Sequence, residues 1–350
     1  MQKVVVGEQV WESDKRIEGS PAESWHRRLV VALASLWIID GLLQFQPSMY
    51  SRGLNGFLAN VLQYNTMGRP NLLTDLIRWS VTFTYGTASH QIVFNTLAAI
   101  IQIAIGVAIL AKRTERSALV ASAVWAVVPW VVGEAMGQML FPQASMAFTG
   151  TPGAALIYLF LSVILIRDHG SGASEKRETV AEETASEAQG WKRFGSVADL
   201  GIAGSTLALA MWAVVWIGSA IFELEFSNWA PGSISAQLSA ASGGEPGFIA
   251  SMDRFLGHLL VGRGTVVALL MAVVQAWVGA AALRPELRRI ALGLGIAVSL
   301  IYWIAGQNFG ELFTGNASDP NLGPAMVIFA LTLWPLASRH PVPEIIDETT

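Results

Sequence analysis

The chain has 350 residues, 53% of them hydrophobic and only 14% charged, with a formal net charge of −4 and a mean hydropathy of +0.47. A soluble domain carries roughly 25% charged residues, so this composition excludes a disordered chain and speaks against a soluble enzyme, and the acidic pI of about 5.8 leaves no basic footprint for nucleic acid. With no cysteine, disulfide relays, thiolate metal sites and cysteine nucleophiles are excluded as well.

What remains is a polytopic membrane protein. An α-helical span needs about 20 predominantly apolar residues. Eight segments qualify in chain order: Leu29–Gln46, Ile92–Ala111, Ala118–Phe141, Thr149–Ile166, Gly201–Phe222, Thr265–Leu283, Ile290–Phe313 and Gly323–Leu336. The fourth and eighth have the shortest uninterrupted apolar cores. The predicted fold is therefore an all-α bundle of eight transmembrane helices. It divides into an N-terminal tail (1–28), a four-helix unit (29–168), an acidic linker (169–197), a second four-helix unit (198–338) and a C-terminal tail (339–350). Basic residues orient it. With both termini in the cytoplasm, 17 of the 22 Lys and Arg lie inside, leaving Arg52, Arg69, Arg78, Arg254 and Arg263 outside. The expected location is the cell membrane, multi-pass, with the lipid bilayer as the first partner.

The two units read as a tandem repeat. Residues 99–145 and 272–318 align at a constant offset of 173 with 13 identities in 47 positions. Among them are Gln102/Gln275, Gly106/Gly279, Trp130/Trp303, Gly133/Gly306 and Gly137/Gly310. Four spans return the chain to its starting side, so the repeats are parallel and their pseudo-two-fold runs along the membrane normal. Between the first and second spans of each unit, GRPNLLTDLIRW (68–79) and GEPGFIASMDRF (244–255) predict short amphipathic helices at the outer interface. They cap the bundle or form a lid over a pocket.

Polar residues enter the apolar region at the outer ends of the third and seventh spans. Read as continuous helix, Glu134 and Gln138 share one face at i, i+4, as do Gln307 and Glu311, with the order of acid and amide exchanged. Gly133, Gly137, Gly306 and Gly310 then serve close helix packing. A charge at mid-bilayer costs about 2.5–3.5 kcal/mol on insertion scales, so these groups are expected either to bond between helices or to form a ligand, quinone or proton site. Asp40 and Gln44 gather at the same level on the first span. Arg78 and Arg254 are the expected outer counter-ions. His90 and His258 do not occupy equivalent repeat positions, which disfavours bis-His haem ligation, and no His/Asp/Glu spacing suggests a metal.

Four spans per unit, a long outer segment after the first, and the tight basic turn KRTER (112–116) resemble the DoxX-type membrane family in duplicate. The segment Trp130-x-x-Gly133-Glu134-x-x-Gly137 also resembles uncharacterised bacterial membrane proteins. The first resemblance implies a small-ligand- or quinone-binding subunit serving a membrane redox complex, without catalysis of its own. A carrier for a small polar or weakly acidic solute and a non-catalytic assembly scaffold are the alternatives. A quinone role predicts a side opening between spans; a carrier predicts polar residues continuing toward the cytoplasm.

Overall fold

The computed structural model describes residues 21–52, 56, 71–139, 146–166 and 203–337. The acidic linker and most of both predicted tails lie outside them, as do Arg69 and Pro70. Every regular element among the described residues is helical. Besides short turns of five residues at most, among them Pro47–Tyr50, they are in chain order α1 (Pro21–Leu43), α2 (Asn71–Tyr85), α3 (Ala88–Leu110), α4 (Glu115–Val128), α5 (Ala154–Leu165), α6 (Gly204–Glu223), α7 (Ser233–Ala241), α8 (Gly247–Leu259), α9 (Gly264–Ala281), α10 (Pro285–Ala305) and α11 (Leu322–Ala337).

Five of the described helical segments are long and apolar enough to cross a membrane: α3, α6, α9, α10, and α4 with the turn that extends it to Gly133. The protein is thus a membrane-type helical bundle. α5 and α11 are apolar but have only 12 and 16 residues. These two fill the centre. Ile157, Tyr158 and Leu161 on α5, and Phe329, Ala330 and Leu333 on α11, are all buried. A helix enclosed by other helices needs no complete lipid-facing surface, so its length is released from the bilayer thickness.

Packing follows the same order twice. α1 lies on α3, and α6 lies on α9; α4 lies on α5, and α10 lies on α11. The first pairings rest on small residues. A Cβ on Gly106 would come within 2.7 Å of the Ala34 carbonyl, and one on Gly279 within 3.2 Å of the Ala213 carbonyl. Ile38 and Ile217 flank these contacts. The apolar outer faces of α3 and α9 remain exposed at Ile92, Val93, Val266 and Val273, among others, as lipid contact requires. α2 exposes Leu72, Leu76, Trp79 and Phe83 while burying Leu73, Ile77 and Val81. α8 likewise buries Ile249 and exposes Phe248 and Phe255. Both predicted amphipathic segments are helices of that kind.

The third and seventh predicted spans end differently from the sequence expectation. α4 stops at Val128 and is followed by one wide π turn, Pro129–Gly133; α10 stops at Ala305. Beyond each stop the chain turns left-handed for four consecutive residues. Ala135, Met136, Gly137 and Gln138 have φ of 48, 56, 63 and 59°. Asn308, Phe309, Gly310 and Glu311 have φ of 47, 57, 71 and 55°. An L-residue in this conformation costs roughly 1–2 kcal/mol, so each turn is held by what surrounds it. The indole Nε1 of Trp130 donates to the Pro152 carbonyl at 3.0 Å, and that of Trp303 to the Pro320 carbonyl at 2.8 Å. Gly137 and Gly310 lie directly against those same prolines.

Candidate functional site

The left-handed turns rearrange the polar cluster. Glu134 and Gln138 do not share a helical face, nor do Gln307 and Glu311. Glu134 instead points back within its own half, and its Oε1 accepts from the Ala155 N–H at 3.1 Å. Gln307 Oε1 accepts from the Gly323 N–H at 3.1 Å. These are the first turns of α5 and α11, whose N–H groups have no partner inside the helix. Both side chains therefore cap a helix from a distance, and an acid and an amide interchange because each offers an Oε acceptor. Gln138 and Glu311 lie on the left-handed turns, with Glu311 exposed. The glycines are not helix-packing positions: Gly133 is exposed, Gly306 meets Phe148, and Gly137 and Gly310 are turn residues.

Capping makes a clean prediction. Glu134→Gln keeps the acceptor and should change stability by less than about 0.5 kcal/mol, while Glu134→Ala should lose about 1–2 kcal/mol. Thermal melting of the purified variants checks this; equal losses for both would overturn the capping role.

Of the sequence-nominated residues, Asp40, Gln44, Gly133 and Glu134 come together on the wall of one cavity of about 480 Å³, with Gln102 beside them. That volume lies within the usual range for a small-molecule site. Asp40 is 3% exposed and accepts from the Tyr158 hydroxyl at 3.3 Å. Tyr158 is fixed from below: Trp37 packs edge-on against its ring at 5.0 Å, Trp37 Nε1 donates to Ser122 Oγ, Ser122 pairs with Ser162, and Ser162 donates to the Tyr158 carbonyl. α2 contributes Trp79 and Phe83, which line the cavity and are 64% and 53% exposed, so the cavity opens at that aromatic face. Phe94 and Trp125 complete the aromatic wall. Gln102 Oε1, Glu134 Oε2 and Trp125 Nε1 are buried atoms without a hydrogen-bond partner among the described residues.

A third carboxyl arrives from the other half. Asp319, in the loop before α11, lines the same cavity. Its own oxygens accept from Ser318 Oγ at 2.8 Å and from the Asn321 N–H at 2.6 Å. Burial holds this carboxyl above the usual range, against those two bonds. The loop is clasped by the first half: Gln46 Nε2 donates to the Ala317 carbonyl and Ser48 Oγ to the Gly315 carbonyl. The exchange is reciprocal. Phe148, in the corresponding loop of the first half, packs edge-on against Tyr302 at 5.7 Å, and its carbonyl sits against Gly306.

The second half has a cavity in the equivalent place, lined by Trp216, Ser219, Tyr302, Gln307 and Gly323 among others. It measures only about 20 Å³, room for about one water. Trp216 and Ser219 stand where Trp37 and Asp40 stand in the first half, at an offset of 179 set by the Ala34/Ala213 and Ile38/Ile217 contacts. At the offset of 173, Gln307 replaces Glu134 and Tyr302 replaces Pro129. Both carboxyls have become neutral, and a tyrosine fills the space. Tyr302 is held there by Gln275, whose Nε2 donates to the Tyr302 hydroxyl at 2.8 Å and to Glu223 Oε1 at 3.0 Å.

The expected counter-ions are elsewhere. Arg78 and Arg254 are exposed, and Arg254 donates to Ser251 within its own helix. Among the described residues, the ion pairs join His26 and Arg27 to Glu115, away from the cavity. His90 bonds the Phe83 carbonyl. The described residues hold no group of three His, Asp or Glu suited to a metal.

Sequence reasoning missed Tyr158 and Asp319. Tyr158 carried a weak signal, a hydroxyl in an otherwise apolar span. Asp319 carried one too, directly following the repeated Ala–Ser at 317–318. The repeated Trp–Ile at 37–38 and 216–217 would have exposed the Asp40/Ser219 difference. No family model, curated protein or solved structure matches this chain.

Proposed function

We propose that the chain is an integral membrane protein whose first half binds one small amphiphilic ligand, reached sideways from the outer leaflet of the cell membrane. The observation that carries this reading is the cavity of about 480 Å³, polar at Asp40, Gln102 and Glu134 and open at the exposed aromatic face of α2. A lateral opening between apolar helices suits a ligand already dissolved in lipid. Along α3 the lining reaches Phe94, Ala98 and Gln102 and goes no further, which disfavours a carrier. A scaffold would have no use for a cavity of this size, because an unfilled void of that kind destabilises a bundle.

Within the same proposal the bundle consists of eight spans in two parallel four-helix repeats, both termini in the cytoplasm. The matched left-handed turns, the matched helix caps and the two equivalent cavities support duplication followed by divergence, with one half keeping an open site. The DoxX-like resemblance would make the protein a subunit beside a quinone-linked redox partner. That setting requires a quinone, and the unpartnered Gln102 and Glu134 oxygens suit its reduced, hydroxyl-bearing form.

The test is to fill the cavity. Ala98 lines it on α3, and Ala98→Trp should occupy much of the space. Mass spectrometry of amphiphiles extracted from the purified proteins should find about one molecule per chain in the wild type and a loss of at least about fivefold in the variant. Identical extracts from two equally folded proteins would refute the site.

A further inference from the structure

We infer that the ligand of this cavity is an organic cation, an amine or ammonium group carried on an apolar or aromatic body. The inference rests on the reading of the cavity as a ligand site and deepens it.

Three carboxyls from three separate segments line one space: Asp40 from α1, Glu134 from the turn after α4, and Asp319 from the loop of the other half. No Lys, Arg or His is among the lining residues. Arg78 and Arg254 are exposed and not part of this lining, so the described lining residues supply no counter-charge there. A second observation points the same way. Gln102 is 7% exposed, and its Oε1 has no hydrogen-bond partner. A buried acceptor left unmade costs free energy, and so does Glu134 Oε2, the other unsatisfied acceptor at the wall. The cavity therefore presents three carboxyls and a further acceptor to its contents, beside one free donor, the Trp125 N–H. A donor satisfies the acceptors; only a basic amine can also take a proton from a carboxyl and pair, as an ammonium, with the carboxylate that this leaves.

The remaining wall fits the rest of such a molecule. Trp79 and Phe83 stack with centroids 5.7 Å apart, and Phe83 meets Phe94 at 5.3 Å. Aromatic faces attract ammonium groups and pack apolar bodies equally well. An oxidised quinone brings only acceptors, for which the free Trp125 N–H is a single partner, and a carboxylic acid adds a fourth acid to the three. A quinol brings donors but no base to take a carboxyl proton. The sealed cavity of the second half agrees: where Ser219 and Gln307 replace the acids, the space for a ligand is gone as well.

The experiment uses the full chain in lipid nanodiscs and three probes sharing one apolar body: phenylbutylamine, phenylbutanol and phenylbutyrate. Binding is followed by tryptophan fluorescence and calorimetry. The amine should bind about tenfold more tightly than the alcohol, and the acid most weakly. Asp319→Asn and Glu134→Gln are both isosteric: Glu134→Gln keeps the acceptor for Ala155, and Asp319→Asn keeps the acceptor for Asn321 while its Nδ2 donates to the Ser318 hydroxyl, which reverses that bond. Each should weaken the amine by about fivefold while leaving the alcohol within about twofold. Equal binding of amine and alcohol, or variants that bind the amine like the wild type, would overturn the cationic ligand. So would displacement of the amine by decylubiquinol at lower concentration than by a second amine. In those cases loss of all probe binding in Ala98→Trp still upholds the cavity as a site. If Ala98→Trp changes none of the three affinities, the cavity is not the site and both readings fall.

Discussion

Gly137→Ala is expected to destabilise the protein by at least about 3 kcal/mol, the combined cost of a steric overlap and a strained backbone. A Cβ at this position would overlap the Pro152 carbonyl, which also receives the Trp130 indole. Neither side can retreat. Pro152 leads directly into Gly153 and the first turn of α5, where a Cβ on Gly153 would in turn strike the Glu134 carboxyl. The backbone conformation adds its share, since φ of 63° already suits glycine better than alanine. Gly310→Ala should behave in the same way, against Pro320 and Trp303. Gly133→Ala is the internal control: a Cβ there meets only Pro129 Cβ at 3.9 Å, and the change should shift stability by less than about 1 kcal/mol. Melting temperatures of the three variants in one detergent decide the matter. Tolerance of alanine at both 137 and 310 would show that the left-handed turns do not fix the loops.

Tyr302→Ala should lose about 3–4 kcal/mol, in the range measured for truncating buried aromatics. The side chain fills the second-half cavity, supports Phe148 edge-on and satisfies Gln275. Tyr302→Phe separates these contributions. It keeps the volume and removes the hydroxyl, and should lose only about 1 kcal/mol. A Phe variant as damaged as the Ala variant would place the importance in the hydrogen bond to Gln275 and not in the filling of space. The enlarged cavity of Tyr302→Ala should bind phenylbutylamine more weakly than the first half's, because Ser219 and Gln307 carry no charge and the acid that stands nearby, Glu223, is bonded to Gln275. Space and acidity are separable properties, and the second half has less of both.

Much of this architecture is legible in the chain, and the limits are instructive. Apolar runs mark the long helices, because lipid exposure demands continuous apolarity. They also mark α5 and α11, but hide that these lie inside the bundle, since burial by protein and burial by lipid leave the same composition. The offset of 173 pairs Trp130 with Trp303 and Gly137 with Gly310, and both pairs do parallel structural work. It does not disclose the left-handed turns, because Ala135, Met136 and Phe309 are not residues that announce positive φ, and Asn308 alone is of a kind that does. Treating those stretches as helix put Glu134 and Gln138 on one face and sent Arg78 and Arg254 toward them. Asp319 was beyond reach for another reason. It serves a cavity built by residues more than 150 positions away, and only the fold brings them together.

The crossed loops have a consequence for how the molecule can be divided. The loop at 315–319 supplies Ser318 and Asp319 to the first half's cavity, and Phe148 supports Tyr302 on the wall of the second's, so each half completes the other. Neither half is a finished module. Two fragments made separately would each expose an incomplete socket, and they would regain a binding-competent whole only by finding one another. A gene encoding one half alone would yield a protein that dimerises with a second copy or has no complete site.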